Sequence, residues 1–167
     1  EAKNVMNYIE LCSGMGGTRI GLNKARWNCL FAADKDPAAV EIYNAVWGHS
    51  RCMDISAIIS SQLPNYDALV AGFPCQPFSS AGPRFGFDHG EGNVFEHIVR
   101  IIADTGPKVI LLENVRGLLV HNQGRTFSTV LQSLVQLGYD VIWYLTDLKT
   151  LGVPHSRPRI IIVAVDP

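Results

Sequence analysis

Short apolar runs alternate with helix-length segments along the chain, and this alternation restricts the possible folds more than any other feature. The runs predicted as strands are residues 6–12, 28–33, 50–53, 68–71, 109–113, 141–146 and 159–165. The segments with helical spacing are residues 18–25, 37–46, 55–62, 94–103 and 125–137. Strands that are apolar throughout and separated by helices are typical of a parallel sheet covered on both faces. The sequence therefore predicts an α/β fold.

The last two predicted strands are separated only by a loop, residues 147–158, and not by a helix-length segment. Parallel neighbours usually need a helical crossover, whereas antiparallel strands can be joined by a loop. We therefore expect an antiparallel pair that closes one edge of the sheet. Because the 167 residues contain no interdomain linker and no internal repeat, we expect one domain that covers residues 1–167.

Charge and composition exclude several classes of function. The formal net charge is −1, whereas a purely electrostatic nucleic-acid binder would show a strong basic excess, so any contact with nucleic acid must be local. The apolar runs are too short to span a bilayer and the N-terminus lacks a signal-peptide pattern, so we expect an intracellular protein without membrane partners.

The four cysteines, Cys12, Cys29, Cys52 and Cys75, match no zinc pattern. We expect reduced thiols in a reducing compartment, no metal, and the first three cysteines in the core.

One cysteine is framed by two prolines and a glycine in Gly72-Phe73-Pro74-Cys75-Gln76-Pro77-Phe78-Ser79, directly after a predicted strand. The prolines fix the backbone on both sides of Cys75 and prevent a helix from including it. Chemistry in open α/β sheets lies at the carboxyl ends of the strands, so Cys75 is the candidate nucleophile. The alternative is a small apolar residue that fills a turn. The glycine-rich residues 79–92 are expected to form a mobile loop.

Three consecutive strand ends carry residues that suit a nucleoside. The first strand opens into a helix through Gly14-Met15-Gly16-Gly17, and such glycines let a backbone approach a ligand. Asp34 after the second strand lies where a ribose would be, and Asp54 after the third could accept a hydrogen bond from an adenine amino group. Asp36 and Asp54 are also expected as helix caps. Because the chain has no P-loop lysine, S-adenosylmethionine fits this pattern better than ATP.

The fifth predicted strand ends in Glu113-Asn114-Val115, after four apolar residues. A carboxyl group at the end of a buried strand is partly desolvated, so Glu113 is expected to share or donate a proton near neutral pH. The alternative is an ordinary cap on the following turn. Near the C-terminus, Arg157 and Arg159 point the same way if the segment is extended, and they could bind a carbonyl or phosphate oxygen. For Arg157 a structural ion pair is an equal alternative.

These residues together resemble the ordered motifs of the cytosine-5 DNA methyltransferases. The resemblance rests on the Gly14-Met15-Gly16-Gly17 turn, residues 72–79, Glu113-Asn114-Val115 and Arg157-Pro158-Arg159, and it covers nearly the whole chain. It implies a Rossmann-like methyltransferase fold with a mostly parallel seven-stranded sheet, an antiparallel edge strand and helices on both faces. It also implies S-adenosylmethionine as methyl donor, S-adenosylhomocysteine as product, no metal, and a cytosine flipped out of DNA.

The resemblance also implies roles for individual residues. Cys75 resembles the thiolate that adds to C6 of cytosine, Glu113 the acid that engages N3 and the exocyclic amine, and Arg159 the arginine that contacts O2. Arg157 and Asn114 resemble residues that support the site. The residues that resemble the cofactor-binding set are Gly14, Met15, Gly16, Gly17, Asp34, Lys35, Asp54, Ile55, Gly72 and Pro74. The residues expected to contact DNA from the loop are Gln76, Ser79, Ser80 and Arg84.

Several positions depart from the family pattern. Cys12 and Asp34 stand where the family usually has an aromatic residue and a glutamate, and Lys35 stands where it has an apolar or aromatic residue. We therefore expect weaker stacking on adenine. His155 and Glu91 replace a glutamine and an arginine, and the Glu91 carboxylate would face DNA phosphates.

Nothing in the sequence resembles the family's target-recognition region or the final helix that completes the cofactor pocket. We therefore expect a catalytic domain without target recognition, which works with a second subunit or a C-terminal portion. Apolar surface at residues 11–20 is expected to be covered by a second chain or by self-association. The alternatives are an RNA (tRNA) cytosine-5 methyltransferase with the same core and a catalytically silent scaffold that binds the cofactor or a partner. Residues 77–82 follow the DNA-type pattern, and a silent scaffold is not expected to retain all of Cys75, Glu113 and Arg159.

Overall fold

The computed structural model describes residues 5–74 and 93–167, which form a seven-stranded sheet with four α-helices. The strands are β1 (Asn7–Leu11), β2 (Asn28–Asp34), β3 (Ser50–Cys52), β4 (Ala68–Gly72), β5 (Val109–Val115), β6 (Asp140–Asp147) and β7 (Pro158–Val165). The helices are α1 (Gly17–Lys24), α2 (Pro37–Val46), α3 (Val94–Thr105) and α4 (Arg125–Gln136). The seven predicted strands are confirmed, each with small differences at its ends.

The strands lie in the order β3-β2-β1-β4-β5-β7-β6. β1 to β5 form a parallel sheet, and β7 is antiparallel to both β5 and β6. The antiparallel pair predicted from the short connection is confirmed, and with it the fold class. Because β7 pairs with β5 in the antiparallel direction, its beginning faces the end of β5, where Arg159 is opposite Val115.

Helices cover both faces of the sheet, as predicted. On one face, α1 and α2 pack over a cluster that includes Tyr8 and Tyr43. On the other, α3 and α4 pack through Ile98 and Leu134 over a larger cluster that includes Ile9. Burial of each large apolar side chain stabilises the fold by roughly 1.5–3 kcal/mol, so the larger cluster is the main core.

Two helices begin at side-chain caps, of which only the cap at Asp36 was predicted from the sequence. The Asp36 carboxylate accepts the N–H of Ala38 at 2.9 Å, and Pro37 is the first residue of α2. Asn93 and Glu96 form a reciprocal capping box at the start of α3.

The prediction of a helix over residues 55–62 is wrong. The segment forms two short 3₁₀ turns, Ile55–Ala57 and Ser60–Gln62, separated by extended dihedrals at Ile58 and Ile59. The carbonyl of Ile58 accepts a hydrogen bond from Nη2 of Arg100 in α3 at 3.0 Å, in place of a helical bond. The buried side chains at 55 and 58 have helical spacing, but this tertiary contact and Pro64, which disfavours helix at the preceding residue, override it.

Only part of the segment 11–20, which was expected to form an exposed apolar surface, is exposed. Leu11 is fully buried, whereas Met15 and Ile20 are exposed, so that expectation is only partly confirmed. A larger group of exposed apolar side chains lies on β6. No helix in residues 5–74 and 93–167 has the length and apolar content needed to cross a bilayer.

Candidate active site

The carboxyl ends of β1 to β4 meet at one edge of the sheet and line a cavity of about 340 Å³. This volume lies in the range of small-molecule sites. The cavity is lined by Leu11, Cys12, Gly14, Ala33, Asp34, Lys35, Met53, Asp54, Ile55, Ile58, Gly72, Phe73, Pro74 and Val94. The lining is mostly apolar, with two carboxylates and one ammonium group.

Asp34 joins the loop after β1 to the end of β2. Its Oδ2 accepts the N–H of Gly14 at 2.8 Å, and its Oδ1 accepts the N–H of Asp36 at 2.9 Å. Gly14 has a φ of +51° and no atom near the position of a Cβ, so the backbone conformation favours glycine here. Each carboxylate oxygen has a second lone pair, so Asp34 can still accept a hydrogen bond from a ligand.

Gly16 lies against helix α2 and not on the cavity. A Cβ on Gly16 would stand 2.7 Å from Nε1 and 2.9 Å from Cδ1 of Trp47, and the φ of Gly16 is +85°. Glycine is therefore needed here for close packing of the loop on α2. Met15, Gly16 and Gly17 do not line the cavity, so Gly14 is the member of the predicted glycine turn that does.

The other predicted cofactor-binding residues come together. Those that line the cavity are Gly14, Asp34, Lys35, Asp54, Ile55, Gly72 and Pro74. Asp54 also caps the turn Ile55–Ala57, as predicted, by accepting the N–H of Ser56 at 2.8 Å. Hydrogen bonds from the Ser56 side chain and backbone hold the pKa of Asp54 below its ordinary value, so the group is a carboxylate acceptor at neutral pH.

Two of the three cysteines predicted for the core are elsewhere. Cys12 lines the cavity with a φ of +52°, and burial raises the pKa of its thiol to about 12, so the thiol is neutral. Cys52 is exposed, whereas Cys29 is buried as predicted. The sequence analysis also missed Phe73 and Met53 as lining residues. The signal that could have found them was their position directly before predicted site residues at strand ends.

An acid and an arginine meet where β5 and β7 face each other. Nε of Arg159 lies 2.6 Å from Oε1 of Glu113, and Nη1 of Arg159 donates to the carbonyl of Pro158 at 2.9 Å. Gly72 is opposite Glu113 in the β4–β5 ladder, and a Cβ there would be 3.4 Å from Oε2 of Glu113. The glycine therefore leaves room for the carboxylate beside the turn that leads to Pro74.

Asn114 holds the beginning of that turn. Its buried Nδ2 donates to the carbonyl of Phe73 at 2.8 Å, and its Oδ1 accepts the N–H of Val115 at 2.8 Å. The hydrogen bond from Asn114 to Phe73 extends the pairing of β4 and β5 by one residue beyond the last ladder pair, Gly72 and Glu113. Asn114 thus fixes the peptide that enters Pro74, the last described residue before Cys75.

The structure does not bring Arg157 into this group. Arg157 is exposed just before β7, where its backbone N–H donates to Oδ1 of Asp147 at 2.8 Å. Its side chain forms no ion pair among residues 5–74 and 93–167. The predicted nucleophile Cys75 and the predicted DNA contacts Gln76, Ser79, Ser80 and Arg84 lie outside the described residues, as does the predicted loop with Glu91.

A buried acid lies beneath the glycine turn, and the sequence analysis did not identify it. Tyr43 donates to Oε2 of Glu10 at 3.0 Å, and Nη1 of Arg19 donates to the Tyr43 hydroxyl at 2.8 Å. The Arg19 guanidinium stacks on the Trp47 ring at 5.1 Å. Burial raises the pKa of Glu10 to about 7, although the Tyr43 hydrogen bond and the Arg19 charge oppose the shift. This cluster fixes α1 and α2 against β1.

Comparison with known proteins gives one consistent result. The model of the C-5 cytosine-specific DNA methylase family matches residues 6–167. Type II methyltransferase M.BsuFI of Bacillus subtilis is 40% identical over 162 residues, which are 97% of this chain and 40% of that protein. Type II methyltransferase M.NgoBI of Neisseria gonorrhoeae is 43% identical over 155 residues, which are 93% of this chain and 49% of that protein.

Solved structures agree with these sequence matches. The Dnmt2 methyltransferase of S. pombe superposes with a TM-score of 0.79 at 27% identity, over 96% of this chain and 51% of that one. The chain thus spans about half or less of the length of the three proteins compared.

Proposed function

The chain belongs to the C-5 cytosine-specific DNA methylase family, and from this premise we propose that it is the catalytic region of a DNA (cytosine-5)-methyltransferase. It transfers the methyl group of S-adenosylmethionine to C5 of a flipped-out cytosine through a covalent adduct with Cys75. The observation that carries the proposal is the Glu113–Arg159 pair, which stands beside Gly72 at the edge that also holds the cavity.

The side chains that line the cavity fit S-adenosylmethionine. The carboxylates of Asp34 and Asp54 suit the ribose hydroxyls and the exocyclic amine of an adenosine, because both partners there are hydrogen-bond donors. Apolar side chains such as Ile55 and Phe73 suit the faces of the adenine ring. When bound, the cofactor supplies the electrophilic methyl group that becomes attached to cytosine C5. Lys35 and Cys12 give this pocket a less aromatic lining than the family pattern.

The protein groups supply the activation of the cytosine ring. The Cys75 thiolate forms a bond to C6, and the electron pair of the C5–C6 double bond moves into the ring, which makes C5 nucleophilic. Glu113 donates a proton or hydrogen bond at N3 and stabilises the developing charge. Arg159 binds O2 and holds the Glu113 carboxyl group in place. After methylation a base, for which water is our assignment, removes the C5 proton, and the Cys75 sulfur leaves as C5=C6 reforms.

Asn114 supports this chemistry through the backbone. Its amide holds the carbonyl of Phe73, two residues before Cys75, and the proline between them limits backbone rotation. Nucleophile and acid are thus attached to neighbouring strands through one short turn. Such positioning lowers the entropic cost of bringing the reacting groups together.

We assign residues 1–167 to a single catalytic domain that acts on DNA together with a second subunit or a C-terminal portion for target recognition. The described segments are all used by the sheet, its helices and their connections. The relatives are about twice as long as the matched region or longer. Base-edge contacts in a groove need a positioned element of their own, which the longer relatives have length to supply.

Transfer of tritiated methyl groups to DNA and to RNA of the same sequence tests the function. The reaction is run with the 167-residue chain together with its second subunit or C-terminal portion. We expect 5-methylcytosine in DNA and none above background in RNA. Labelling of RNA alone would favour the RNA enzyme, and S-adenosylmethionine binding without transfer to either would identify a silent scaffold.

A further inference from the structure

Strand β6 is the outermost strand of the sheet, and it is apolar on both faces. Ile142 and Tyr144 on one face are 64% and 50% exposed, and Trp143 and Leu145 on the other are each 46% exposed. Within residues 5–74 and 93–167, β6 pairs only with β7. Its outer row of backbone N–H and C=O groups therefore has no partner strand in that part of the chain.

β6 lacks the features that usually protect an edge strand. It contains no proline and no lysine, its charges are confined to Asp140 and Asp147 at the ends, and its register with β7 is regular over all eight residue pairs. The opposite edge, β3, is only three residues long and carries Arg51. A long, regular, apolar edge favours the addition of another strand, because backbone hydrogen bonds and apolar pairs form together.

We propose that β6 is a homodimer interface, in which the β6 strands of two copies pair antiparallel about Trp143 and join the two sheets into one. A two-fold axis perpendicular to the sheet keeps each face continuous, so it pairs residues of the same face. Centred on Trp143, this places Ile142 opposite Tyr144 of the partner subunit and Val141 opposite Leu145 of the partner subunit. The interface inference does not depend on the proposed chemistry.

The Trp143-centred register is better matched than its neighbour. Pairing about Tyr144 would place Ile142 opposite Thr146 of the partner subunit and Val141 opposite Asp147 of the partner subunit, so apolar side chains would face polar ones. The Trp143 ring is also already held in place by an edge contact with Phe127 of α4, with ring centroids 5.1 Å apart. An ordered aromatic anchor loses less side-chain entropy on association.

The paired arrangement leaves both candidate sites open. β7 and β5 lie between β6 and the cavity. Arg159 on β7 is opposite Thr146 at the inner edge of β6, whereas the proposed interface lies at the outer edge of β6 and does not reach the Glu113–Arg159 pair. Antiparallel pairing points the carboxyl edges of the two sheets in opposite directions. The two sites of a dimer therefore face away from each other and can engage separate DNA segments.

Sedimentation velocity of the 167-residue chain over a range of concentrations tests the interface. We expect a dimer whose dissociation constant rises at least about tenfold in Ile142→Lys, because the charge would be buried beside Tyr144 of the partner subunit. Ile20→Lys is the matched control, since Ile20 is similarly exposed but lies on α1. Thermal unfolding verifies that both variants are folded. A monomeric wild-type chain, or equal effects of the two variants, would overturn the proposal.

Mixing two single variants tests the register. Ile142→Lys mixed with Tyr144→Glu is expected to form a heterodimer more tightly than either variant forms a homodimer, because the introduced lysine faces the introduced glutamate. If mixing gives no gain, the Trp143-centred pairing is overturned.

Discussion

Glu113 and Arg159 come from neighbouring antiparallel strands, and their side chains form a short ion pair in which both groups retain partial exposure to solvent. In the proposed mechanism the same two groups bind neighbouring polar atoms on one edge of the cytosine, the ring nitrogen N3 and the carbonyl oxygen O2. A pair that is preformed in this way needs little rearrangement when the base enters. Because Glu113 is proposed to donate a proton or hydrogen bond at N3, its role depends on its proton and not only on its shape.

Glu113→Gln separates these two properties. We expect turnover to fall by roughly 10²–10⁴-fold, because glutamine keeps the shape and can accept a hydrogen bond from Arg159 but cannot exchange a proton at N3. Methyl transfer at saturating cofactor measures the loss. Glu41→Gln, at an exposed position on α2, is the control. A loss smaller than about tenfold would make Glu113 a structural cap.

The buried acid Glu10 has a consequence for stability. Burial raises its pKa in the folded protein from 4.5 to about 7, so the folded state binds a proton more tightly than the unfolded state. The resulting stabilisation is fully present below pH 4.5 and is lost as the pH rises to about 7. The free energy of unfolding should therefore fall over this range, by on the order of 2–3 kcal/mol from this group.

Chemical denaturation across this pH range, on wild type and Glu10→Gln, measures that contribution. The variant should lose the decrease assigned to Glu10, because glutamine can accept the Tyr43 hydrogen bond at every pH. The difference between the two proteins removes the contributions of the histidines. Parallel pH profiles would show that Glu10 does not titrate in this range.

At the scale of elements, the glycine turn combines two different requirements. Gly14 opens toward the cavity, whereas Gly16 lets the turn pack on Trp47 at the end of α2. The glycine that lines the cavity and the glycine that packs against α2 thus lie two residues apart in one short loop. Changes at Gly16 should affect packing, and changes at Gly14 should affect the cavity.

Gly16→Ala and Gly17→Ala form a matched pair that tests the packing role. Gly16→Ala should destabilise the chain by roughly 1–3 kcal/mol, because it combines a left-handed φ with a Cβ 2.7 Å from Trp47. Gly17→Ala should be neutral or slightly stabilising, since no atom lies within 4 Å and alanine favours helix. Urea unfolding gives both values. Equal effects would contradict the assignment of Gly16.

The pattern of apolar runs predicted the elements well because burial dominates strand choice. Strands that are buried over most of their length, such as β4, leave little ambiguity about the side chains they need. The pattern failed at residues 55–62, where Arg100, distant in sequence, takes the carbonyl of Ile58. No local pattern contains such a contact.

The candidate site could be predicted only in part, because the sequence shows which residues end the strands but not which strands are neighbours. Polar residues at strand ends are visible in the sequence, so Asp34, Asp54 and Glu113 were identified. The ion pair between Glu113 and Arg159 was not predicted, because it depends on β7 lying next to β5. Glu10 was missed because its partners Tyr43 and Arg19 come from two different helices.

At the scale of the whole molecule, the chain holds the cavity and the acid but spans less than half the length of the two sequence relatives compared above. Its net charge of −1 offers little attraction for DNA phosphates beyond local groups such as Arg157 and Arg159. This supports our proposal that sequence recognition and tight DNA binding belong to a second subunit or C-terminal portion.

This division predicts that the 167-residue chain alone binds S-adenosylmethionine weakly and methylates DNA poorly. Supplying the second subunit or C-terminal portion in trans should restore both activities together, because one addition would close the cofactor pocket and provide the recognition surface. Calorimetry and tritiated methyl transfer, with and without that portion, measure the two effects. Efficient, sequence-specific methylation by the chain alone would contradict the division.

The central claim is that Cys75 attacks the cytosine ring, and covalent trapping on DNA with 5-fluorocytosine at the target position tests it most directly. The fluorine cannot leave as a proton does, so the adduct persists in denaturing gels. In the reconstituted protein we expect an adduct with wild type and with Cys52→Ser, which changes an exposed cysteine outside the cavity. Cys75→Ser should give none. An adduct formed normally by Cys75→Ser would contradict the account.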